Sequence, residues 1–304
     1  MAAEIMAPVP ALVLPQEVVA GTLAGWAQVV VGHPFDTVKV QLQTNSKQYR
    51  NGVDCFKIIA KNEAFLGFYR GVASPLLGIG ACNAVLFSTY SNFRRLIRGG
   101  DTSRPLSLRE TGMAGALTGS VMAFVNTPVE LLKVQLQTQK NQPSAVLNPY
   151  KGVFNAAARI YAHRGISGLY HGLPITIIRD IPSFATYFFV YEGIKQIIGN
   201  YNHNGNKSHL SSAELLFSGG IAGIACWIPC YPQDVIKSTM QSNLNFKSAG
   251  DCFRSLVSYS RKTNTSMFRL LSNGFGTTIV RAFPANAATF FAYEMALKIL
   301  RVSD

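Results

Sequence analysis

Charged residues are scarce in this chain, and four long stretches contain none. Asp, Glu, Lys and Arg make up only 14% of its 304 residues, whereas a soluble domain carries about 25%. Each uncharged stretch is about as long as the ~20 residues that span a bilayer core. The four stretches lie between Glu17 and Asp36, between Arg70 and Arg94, between Glu110 and Glu130, and between Glu214 and Asp234. The chain is therefore predicted to be a membrane protein.

Several signatures of other protein classes are also missing. Residues 1–16 contain no Lys or Arg, so we expect neither a secretory signal nor an Arg-rich transit peptide there. The five cysteines are odd in number and scattered, which argues against a disulfide framework. Cys226 and Cys230 share a helix face, but no His or carboxylate joins them in a metal-ligand pattern. Five dispersed histidines and the lack of H-E-x-x-H and G-x-S-x-G motifs argue against an enzyme. We predict no cofactor and no metal site.

The net charge of +13 requires a different explanation from nucleic-acid binding. Basic residues such as Arg94, Arg95 and Arg98 stand at the ends of apolar stretches and do not form a stripe interleaved with aromatic residues. Anionic lipid head groups are the expected partner for charges in this position. We therefore predict contact with membrane lipid and no nucleic-acid partner.

A ten-residue motif occurs three times, about 100 residues apart. Its pattern is P-x-[DE]-x-x-K-x-x-x-Q, and each copy ends an apolar stretch. The acid, lysine and glutamine of the three copies are Asp36, Lys39 and Gln43; Glu130, Lys133 and Gln137; and Asp234, Lys237 and Gln241. A periodic motif of this kind indicates structural repeats.

A second block follows each motif and completes the repeat. It reads G-F-Y-R-G at 67–71 and G-L-Y-H-G at 168–172, and it is degraded at 269–274. We predict repeats at 16–98, 108–199 and 212–302, each with two spanning helices. The predicted odd helices are 16–44, 108–138 and 212–242, and the even helices are 73–96, 172–198 and 275–300. Amphipathic stretches between them, such as 53–62, are expected to form short helices on the membrane surface. Each third also has one G-x-x-x-G pair, which favours close helix packing.

The triple motif resembles that of the mitochondrial carrier family, and the resemblance covers nearly the whole chain. It implies an all-α membrane protein with six transmembrane helices, arranged in three pseudo-symmetric repeats around a central cavity. It also implies residence in the inner mitochondrial membrane, short helices on the matrix side, cardiolipin as the lipid partner, and alternating access. The implied matrix gate consists of three ion pairs, braced by the glutamines Gln43, Gln137 and Gln241. The expected pairs are Asp36–Lys133, Glu130–Lys237 and Asp234–Lys39.

The gate implied at the opposite, cytoplasmic end is less complete. The family pattern of aromatic, acid and base is intact in Tyr191, Glu192 and Lys195. Ser91 replaces the acid of the first even helix, although Arg94 remains, and Glu294 of the third lacks a base three residues later. We expect a weak cytoplasmic gate with Glu294–Arg94 as its best-preserved pair. This would favour the matrix-closed, outward-open state.

Charges within the even helices point to a substrate site. Arg179 and Arg281 each lie twelve residues before an equivalent tyrosine, where the first even helix has Gly78. A charge at mid-membrane depth costs ~2.5–3.5 kcal/mol or more, so these arginines are expected to face a wet cavity or a partner. We predict that Arg281 holds a substrate carboxylate and that Asp180, beside Arg179, accepts from an ammonium group. Gly78 and Cys82 would leave one wall small, and Asn83 would supply hydrogen bonds. An internal ion pair that never touches substrate is the alternative.

An Arg-acid pair at 179–180 is similar to the amino-acid and carnitine carriers of the family. The predicted substrate is a small zwitterionic or cationic metabolite, an amino acid in the first place, exchanged by a monomer. A carnitine/acylcarnitine carrier is the alternative within the family. A membrane scaffold of the same fold that no longer transports is the alternative from another class.

Overall fold

Residues 15–45, 48–99, 104–139, 149–202 and 210–302 are described by a computed structural model of the chain. These residues are helical or lie in turns and short connections, and no β-strand occurs among them. Each third of the chain contributes two long helical segments with shorter helices between them. The predicted all-α fold of three two-helix repeats is therefore confirmed.

The long helices agree closely with the predicted spans. The elements of the first repeat are α1 (Pro15–Thr44), α2 (Gly52–Glu63), a 3₁₀ helix (Phe65–Tyr69) and α3 (Ala73–Ile97). Those of the second are α4 (Leu108–Thr138), α5 (Val153–Leu169) and α6 (Leu173–Asn202). Those of the third are α7 (Ser212–Ala225), α8 (Trp227–Ser242), α9 (Ala249–Thr263), α10 (Met267–Leu271) and α11 (Phe275–Val302).

The third odd helix differs from the prediction because it is broken. Residues 212–242 were expected to form one helix, but α7 and α8 meet at Cys226 with a bend of 51°. Pro229 has no N–H to donate to the carbonyl of Ala225, four residues back, and its ring crowds that carbonyl. The other two odd helices have no proline at the equivalent position and continue as single elements. The break is thus a local consequence of Pro229.

The long helices pack side by side in a closed ring. In order, α1 contacts α3, α3 contacts α4, α4 contacts α6, α6 contacts α7 and α8, α7 contacts α11, and α11 contacts α1. In addition, α1, α4 and α8 all contact one another. The three odd helices therefore converge at their C-terminal ends, where the P-x-[DE]-x-x-K motifs lie.

Each short helix docks on the odd helix of its own repeat in the same way. The residue at the fourth position of α2, α5 and α9 is fully buried, and these residues are Cys55, Ala156 and Cys252. The thiols of Cys55 and Cys252 lie 4.0 and 3.6 Å from the carbonyls of Val38 and Ile236 on α1 and α8. Only a small side chain fits at these contacts.

Backbone turns repeat as well. The glycine that ends each second block has a positive φ, at Gly71, Gly172 and Gly274, so the degraded third copy keeps this turn. After α2, Ala64 adopts φ 53° and ψ −169°. Nearly the same conformation occurs in the second repeat, but there the residue is a glycine, Gly165. This region of backbone space is essentially restricted to glycine, and a non-glycine residue there costs about 1–3 kcal/mol.

The G-x-x-x-G pairs do not play equal parts. A Cβ atom at Gly115 or Gly119 would lie 2.6 Å from a backbone carbonyl oxygen of α6, so α4 and α6 touch backbone to backbone there. Gly21 and Gly223 have no neighbouring atoms that a Cβ would meet. Close backbone packing of this kind is thus a feature of the middle repeat.

Hydropathy alone would not have identified all six long helices. By length and apolar character, Phe65–Ile97 could cross a membrane, and the bent pair of α7 and α8 passes the same test as one span. The remaining long helices have enough residues, but the polar and charged side chains within them lower their mean hydropathy. Helices that surround a polar interior have this character.

Candidate substrate site and gate

Three ion pairs join the odd helices at the end where they converge. Lys133 Nζ lies 2.5 Å from Asp36 Oδ2, which links α4 to α1. Lys39 Nζ lies 2.7 Å from Asp234 Oδ2, which links α1 to α8. Lys237 pairs with Glu130, which links α8 to α4. The structure therefore brings together the three predicted pairs, and each joins two different repeats.

The three glutamines behave differently from one another. Gln43 donates to Asp234 Oδ2 at 3.0 Å, so it braces the pair between Asp234 and Lys39 as expected from the family. Gln137 instead donates to the Thr37 hydroxyl at 2.9 Å. The Gln241 side chain is buried and has no hydrogen-bond partner among the described residues. The threefold bracing by glutamine is therefore incomplete, because the neighbours of each copy differ.

Arg179 reaches from α6 to the same layer of charges. Its Nη2 lies 3.3 Å from Asp234 Oδ1 and 3.8 Å from Glu130 Oε1. Its Nη1 lies 2.5 Å from Asp180 Oδ1. The guanidinium carbon also stands 5.2 Å from the ring centroid of Trp227, over which Lys39 lies at 4.0 Å. Arg179 is thus held by three carboxylates and an aromatic ring, and its side chain is only 11% exposed.

Asp180 does not have the position that the sequence suggested. We expected it to accept from a substrate ammonium, but its side chain is fully buried between α4 and α6. One carboxylate oxygen is bound by Arg179, and the other accepts from Asn126 Nδ2 at 3.1 Å. Both oxygens therefore have protein donors, and Asp180 has no open face for a substrate.

Arg281 reaches the charged layer from α11. Its Nε lies 2.9 Å from Asp36 Oδ1, on the side of the carboxylate opposite to Lys133. Its side chain is 27% exposed, more than twice the fraction of Arg179. The α1 backbone allows this approach because residue 32 is glycine, where a Cβ atom would lie 2.9 Å from Arg281 Nε. Arg281 is therefore the more accessible of the two arginines.

The ion pairs fall into two clusters with different charge. In the larger cluster, Lys39, Lys237 and Arg179 are balanced by Glu130, Asp180 and Asp234. In the smaller cluster, Lys133 and Arg281 share the single carboxylate of Asp36. Within the described residues, the smaller cluster thus has one positive charge in excess. An anionic group would compensate that charge, and Arg281 is the exposed member that could bind it.

The small residues expected to line the first wall are placed at helix contacts. A Cβ atom at Gly78 would lie 3.0 Å from Val129, so Gly78 permits α3 to approach α4. Cys82 lies 3.8 Å from the Asn126 oxygen, through its sulfur atom. Asn83 lies beside Gly25 at the contact of α3 with α1. Gly78 is therefore a packing residue, and Cys82 contacts Asn126, which binds Asp180.

Two functional candidates were missed in the sequence. Asn126 binds Asp180 and stands one helical turn before Glu130 on α4. Trp227 lies under two cations at the start of α8. Neither has an equivalent in the other repeats, since Gly32 and Cys230 occupy the place of Asn126. A search based on repetition therefore passes over both residues.

The residues predicted for the cytoplasmic gate lie near the far end of the even helices. Glu192 and Lys195 pair at 3.6 Å within α6 itself. Arg94 stacks its guanidinium 5.5 Å from the ring of Tyr90, on the same helix α3. The side chain of Glu294 lies outside the described part of the chain. The expected pair of Glu294 with Arg94 thus remains a prediction.

Comparison with known proteins identifies the family. The sequence profile described as "Mitochondrial carrier protein" matches the chain three times, at residues 11–101, 104–202 and 208–303. The chain is a mitochondrial carrier. The family predicted from the triple motif is thereby confirmed, and the chain belongs to a family of transporters of mitochondrial membranes.

Curated relatives match this carrier over most of its length. It is 37% identical over 290 residues to the human "Mitochondrial basic amino acids transporter", covering 93% of the carrier and 89% of the relative. It is 35% identical over 293 residues to the "Mitochondrial arginine transporter BAC2" of Arabidopsis thaliana, covering 94% and 91%. It is 37% identical over 294 residues to the mouse "Solute carrier family 25 member 45", covering 94% and 99%.

Proposed function

We propose that this carrier exchanges a basic amino acid across the inner mitochondrial membrane by alternating access. Its six long helical segments would cross the membrane, with the ion-paired end of α1, α4 and α8 forming the matrix gate. The protein would act as a monomer in contact with cardiolipin. The state described above would then be the matrix-closed state, in which substrate enters from the cytoplasmic side.

The observation that carries this proposal is the cluster of Lys133, Asp36 and Arg281. It has an excess of one positive charge, and its arginine is partly exposed. A guanidinium group binds a carboxylate through two parallel hydrogen bonds, so the α-carboxylate of an amino acid suits Arg281. The same contact would withdraw Arg281 from Asp36, which is 2.9 Å away.

A zwitterion can replace the contact that it breaks. When its carboxylate occupies Arg281, its ammonium group can approach the released oxygen of Asp36. One internal ion pair is then exchanged for two pairs with substrate. A simple carboxylic acid would leave Asp36 without its second partner, and a simple amine would leave Arg281 without an anion. This arrangement favours a substrate that carries both charges.

The same exchange of partners explains how substrate could open the gate. A ligand shifts a conformational equilibrium only by binding one state better than the other. The substrate would weaken the contact of Arg281 with a gate carboxylate while gaining its own contacts in the occluded state. An empty carrier lacks this compensation, because all the gate carboxylates keep their internal partners. Exchange is therefore expected to be faster than net transport.

The relatives support the choice of a basic amino acid. The names of two of them refer to basic amino acids and to arginine. Asp180 is not a site for the substrate cation, contrary to the prediction, since that carboxylate is buried and bound by Asn126 and Arg179.

Uptake by reconstituted protein tests this proposal. The purified carrier is first screened by thermal shift against basic and neutral amino acids, carnitine esters, nucleotides and keto acids. It is then placed in liposomes loaded with the compounds that stabilise it, and uptake of radiolabelled arginine is followed. The proposal predicts saturable uptake that depends on internal basic amino acid. Uptake of carnitine esters but not arginine would favour the alternative carrier, and no uptake of any compound would favour a transport-inactive scaffold.

A further inference from the structure

Asn126 stands at a junction of the middle repeat. It lies on α4, one turn before the gate residue Glu130, and its amide nitrogen donates to Asp180 Oδ2 at 3.1 Å. A carboxylate only accepts hydrogen bonds, so this contact requires the amide nitrogen of Asn126 on that side. The amide oxygen faces the Cys82 thiol on α3, 3.8 Å away. Asn126 thereby connects α3, α4 and α6.

The two oxygens of Asp180 have separate donors because Asn126 takes one of them. Arg179 Nη1 binds the other oxygen at 2.5 Å. Arginine and carboxylate groups that meet without a competitor often form two parallel hydrogen bonds. Here the hydrogen bond from Asn126 holds the second oxygen toward α4, and Asp180 and Arg179 share one close contact. The remaining donors of the guanidinium are left for other partners.

Those partners are carboxylates of the gate. Arg179 Nη2 lies 3.3 Å from Asp234 and 3.8 Å from Glu130. These residues belong to α8 and α4, so Arg179 ties the third repeat to the second. The orientation of Arg179 toward the gate thus depends on how Asp180 presents its carboxylate. A Cβ atom at Gly119 would lie 2.6 Å from the carbonyl oxygen of Asp180, so α4 and α6 are in close contact there. This contact fixes the backbone position of Asp180.

We propose that Asn126 is a positioning residue of the gate. By holding Asp180 Oδ2 toward α4, it leaves Oδ1 alone facing Arg179 and directs the free end of that guanidinium to Asp234 and Glu130. The inference rests on the proposed exchange function. It adds that the tightness of the matrix gate, and not the binding of substrate by Arg281, depends on this asparagine.

Loss of the amide donor should therefore loosen the matrix gate and raise uniport, which is transport without a counter-substrate, relative to exchange. Asn126→Leu has no donor, and the hydroxyl of Asn126→Ser ends short of Asp180, so in both variants Asp180 can turn to bind Arg179 through both oxygens and draw it away from Asp234. Hydrogen bonds to charged groups of this kind change equilibria by about ten- to hundredfold. We expect the ratio of uniport to exchange to rise about tenfold, while the apparent KM for arginine stays within about twofold. Because the new pair between Asp180 and Arg179 compensates for the lost contact, the melting temperature should change little.

The experiment measures arginine uptake into loaded and unloaded liposomes for each variant. Ser120→Ala is the matched control, since that hydroxyl lies on the same helix and donates to the carbonyl of Ala116. The double variant Asn126→Asp with Asp180→Asn reverses the hydrogen bond, so that an amide at position 180 donates to a carboxylate at position 126. It should return the ratio to within about twofold of the wild type, because the amide oxygen at position 180 can accept from Arg179 only on one side.

The outcomes separate the inference from the proposed function. Wild-type exchange of arginine together with an unchanged ratio in Asn126→Leu and Asn126→Ser would overturn the inference alone. A raised ratio that the double variant fails to lower would also contradict it, since the arrangement of donor and acceptor would then not be the cause. Absence of arginine exchange by the wild type would instead contradict the proposed function.

Discussion

Replacing Arg281 with alanine should separate transport from folding. In the proposed site, Arg281 binds the substrate carboxylate through its guanidinium group. Ionic hydrogen bonds contribute about 1.5–3 kcal/mol each, so the loss of this contact should weaken substrate binding by about 3 kcal/mol. Since about 1.4 kcal/mol corresponds to a factor of ten, uptake at low arginine concentration should fall about a hundredfold or more.

The fold should tolerate the same change. Arg281 is 27% exposed, and the carboxylate that it contacts, Asp36, retains Lys133 at 2.5 Å. Removing one of two cations around a single carboxylate also relieves their repulsion. A partly exposed ion pair contributes at most about 1 kcal/mol, which corresponds to a shift in melting temperature of about 2–4 °C for a domain of 150–250 residues.

The assay compares initial uptake with thermal stability for three variants. Arg281→Ala should be stable and inactive, whereas Arg281→Lys should retain partial uptake because it keeps the charge but loses the planar fork. Arg254→Gln is the control, since that arginine is 79% exposed on α9. Normal uptake by a stable Arg281→Ala variant would refute the assignment of the carboxylate to this residue. A large loss of stability would show that Arg281 is mainly a structural partner of Asp36.

Three further predictions concern other positions. Ala64→Gly should raise the free energy of unfolding by about 1 kcal/mol. The substitution relieves a backbone conformation that costs about 1–3 kcal/mol for a non-glycine residue, and the entropy cost of glycine offsets part of this gain. An unchanged melting temperature would contradict this prediction. Gly32→Ala should push Arg281 off its contact and weaken uptake at least tenfold, a cost comparable to one ionic hydrogen bond, and normal uptake kinetics would contradict it. Burial lowers the pKa of His171, so folding favours its neutral form and stability should decline as the pH falls below about 6.5. The decline should be smaller in the His171→Asn variant. Equal pH dependence of the melting temperature in the two proteins between pH 5 and 7.5 would contradict this prediction.

The long helices could be predicted because their sequence signals are physical and repeated. Uncharged stretches of about 20 residues bounded by charges mark four of the six spans, and the repeated motifs set the register of the other two. The bends and ends depend on single residues and were harder to foresee. Pro229 is visible in the sequence, but its effect was hidden because Pro232, three residues later, belongs to the motif, and the equivalent prolines Pro34 and Pro128 lie in unbroken helices.

The ion pairs between repeats could also be anticipated, whereas the surroundings of the central arginines could not. Three equivalent helices around an axis force an acid of one to meet a base of the next, whichever side chains lie nearby. Asp180 is instead bound by Asn126, a residue without counterpart in the other repeats. Symmetry arguments therefore find the gate and miss the residues that make the site asymmetric.

Gly78 illustrates the same limit at a single position. Its place in the sequence matches the two arginines, which suggested an open wall in the first repeat. In the structure, the missing side chain is used for packing against Val129. A small residue can create space or allow helices to approach, and only the neighbouring helix decides between these outcomes.

The most direct test of the account compares arginine with agmatine, which is the same molecule without its carboxylate. Each compound competes with radiolabelled arginine for uptake into liposomes loaded with arginine. If Arg281 holds the carboxylate and Asp36 receives the cation, agmatine should compete at least a hundredfold less well than arginine, by the loss of about 3 kcal/mol from two ionic hydrogen bonds. Equal competition by both compounds would contradict the central claim, because the substrate would then need no carboxylate to enter the site.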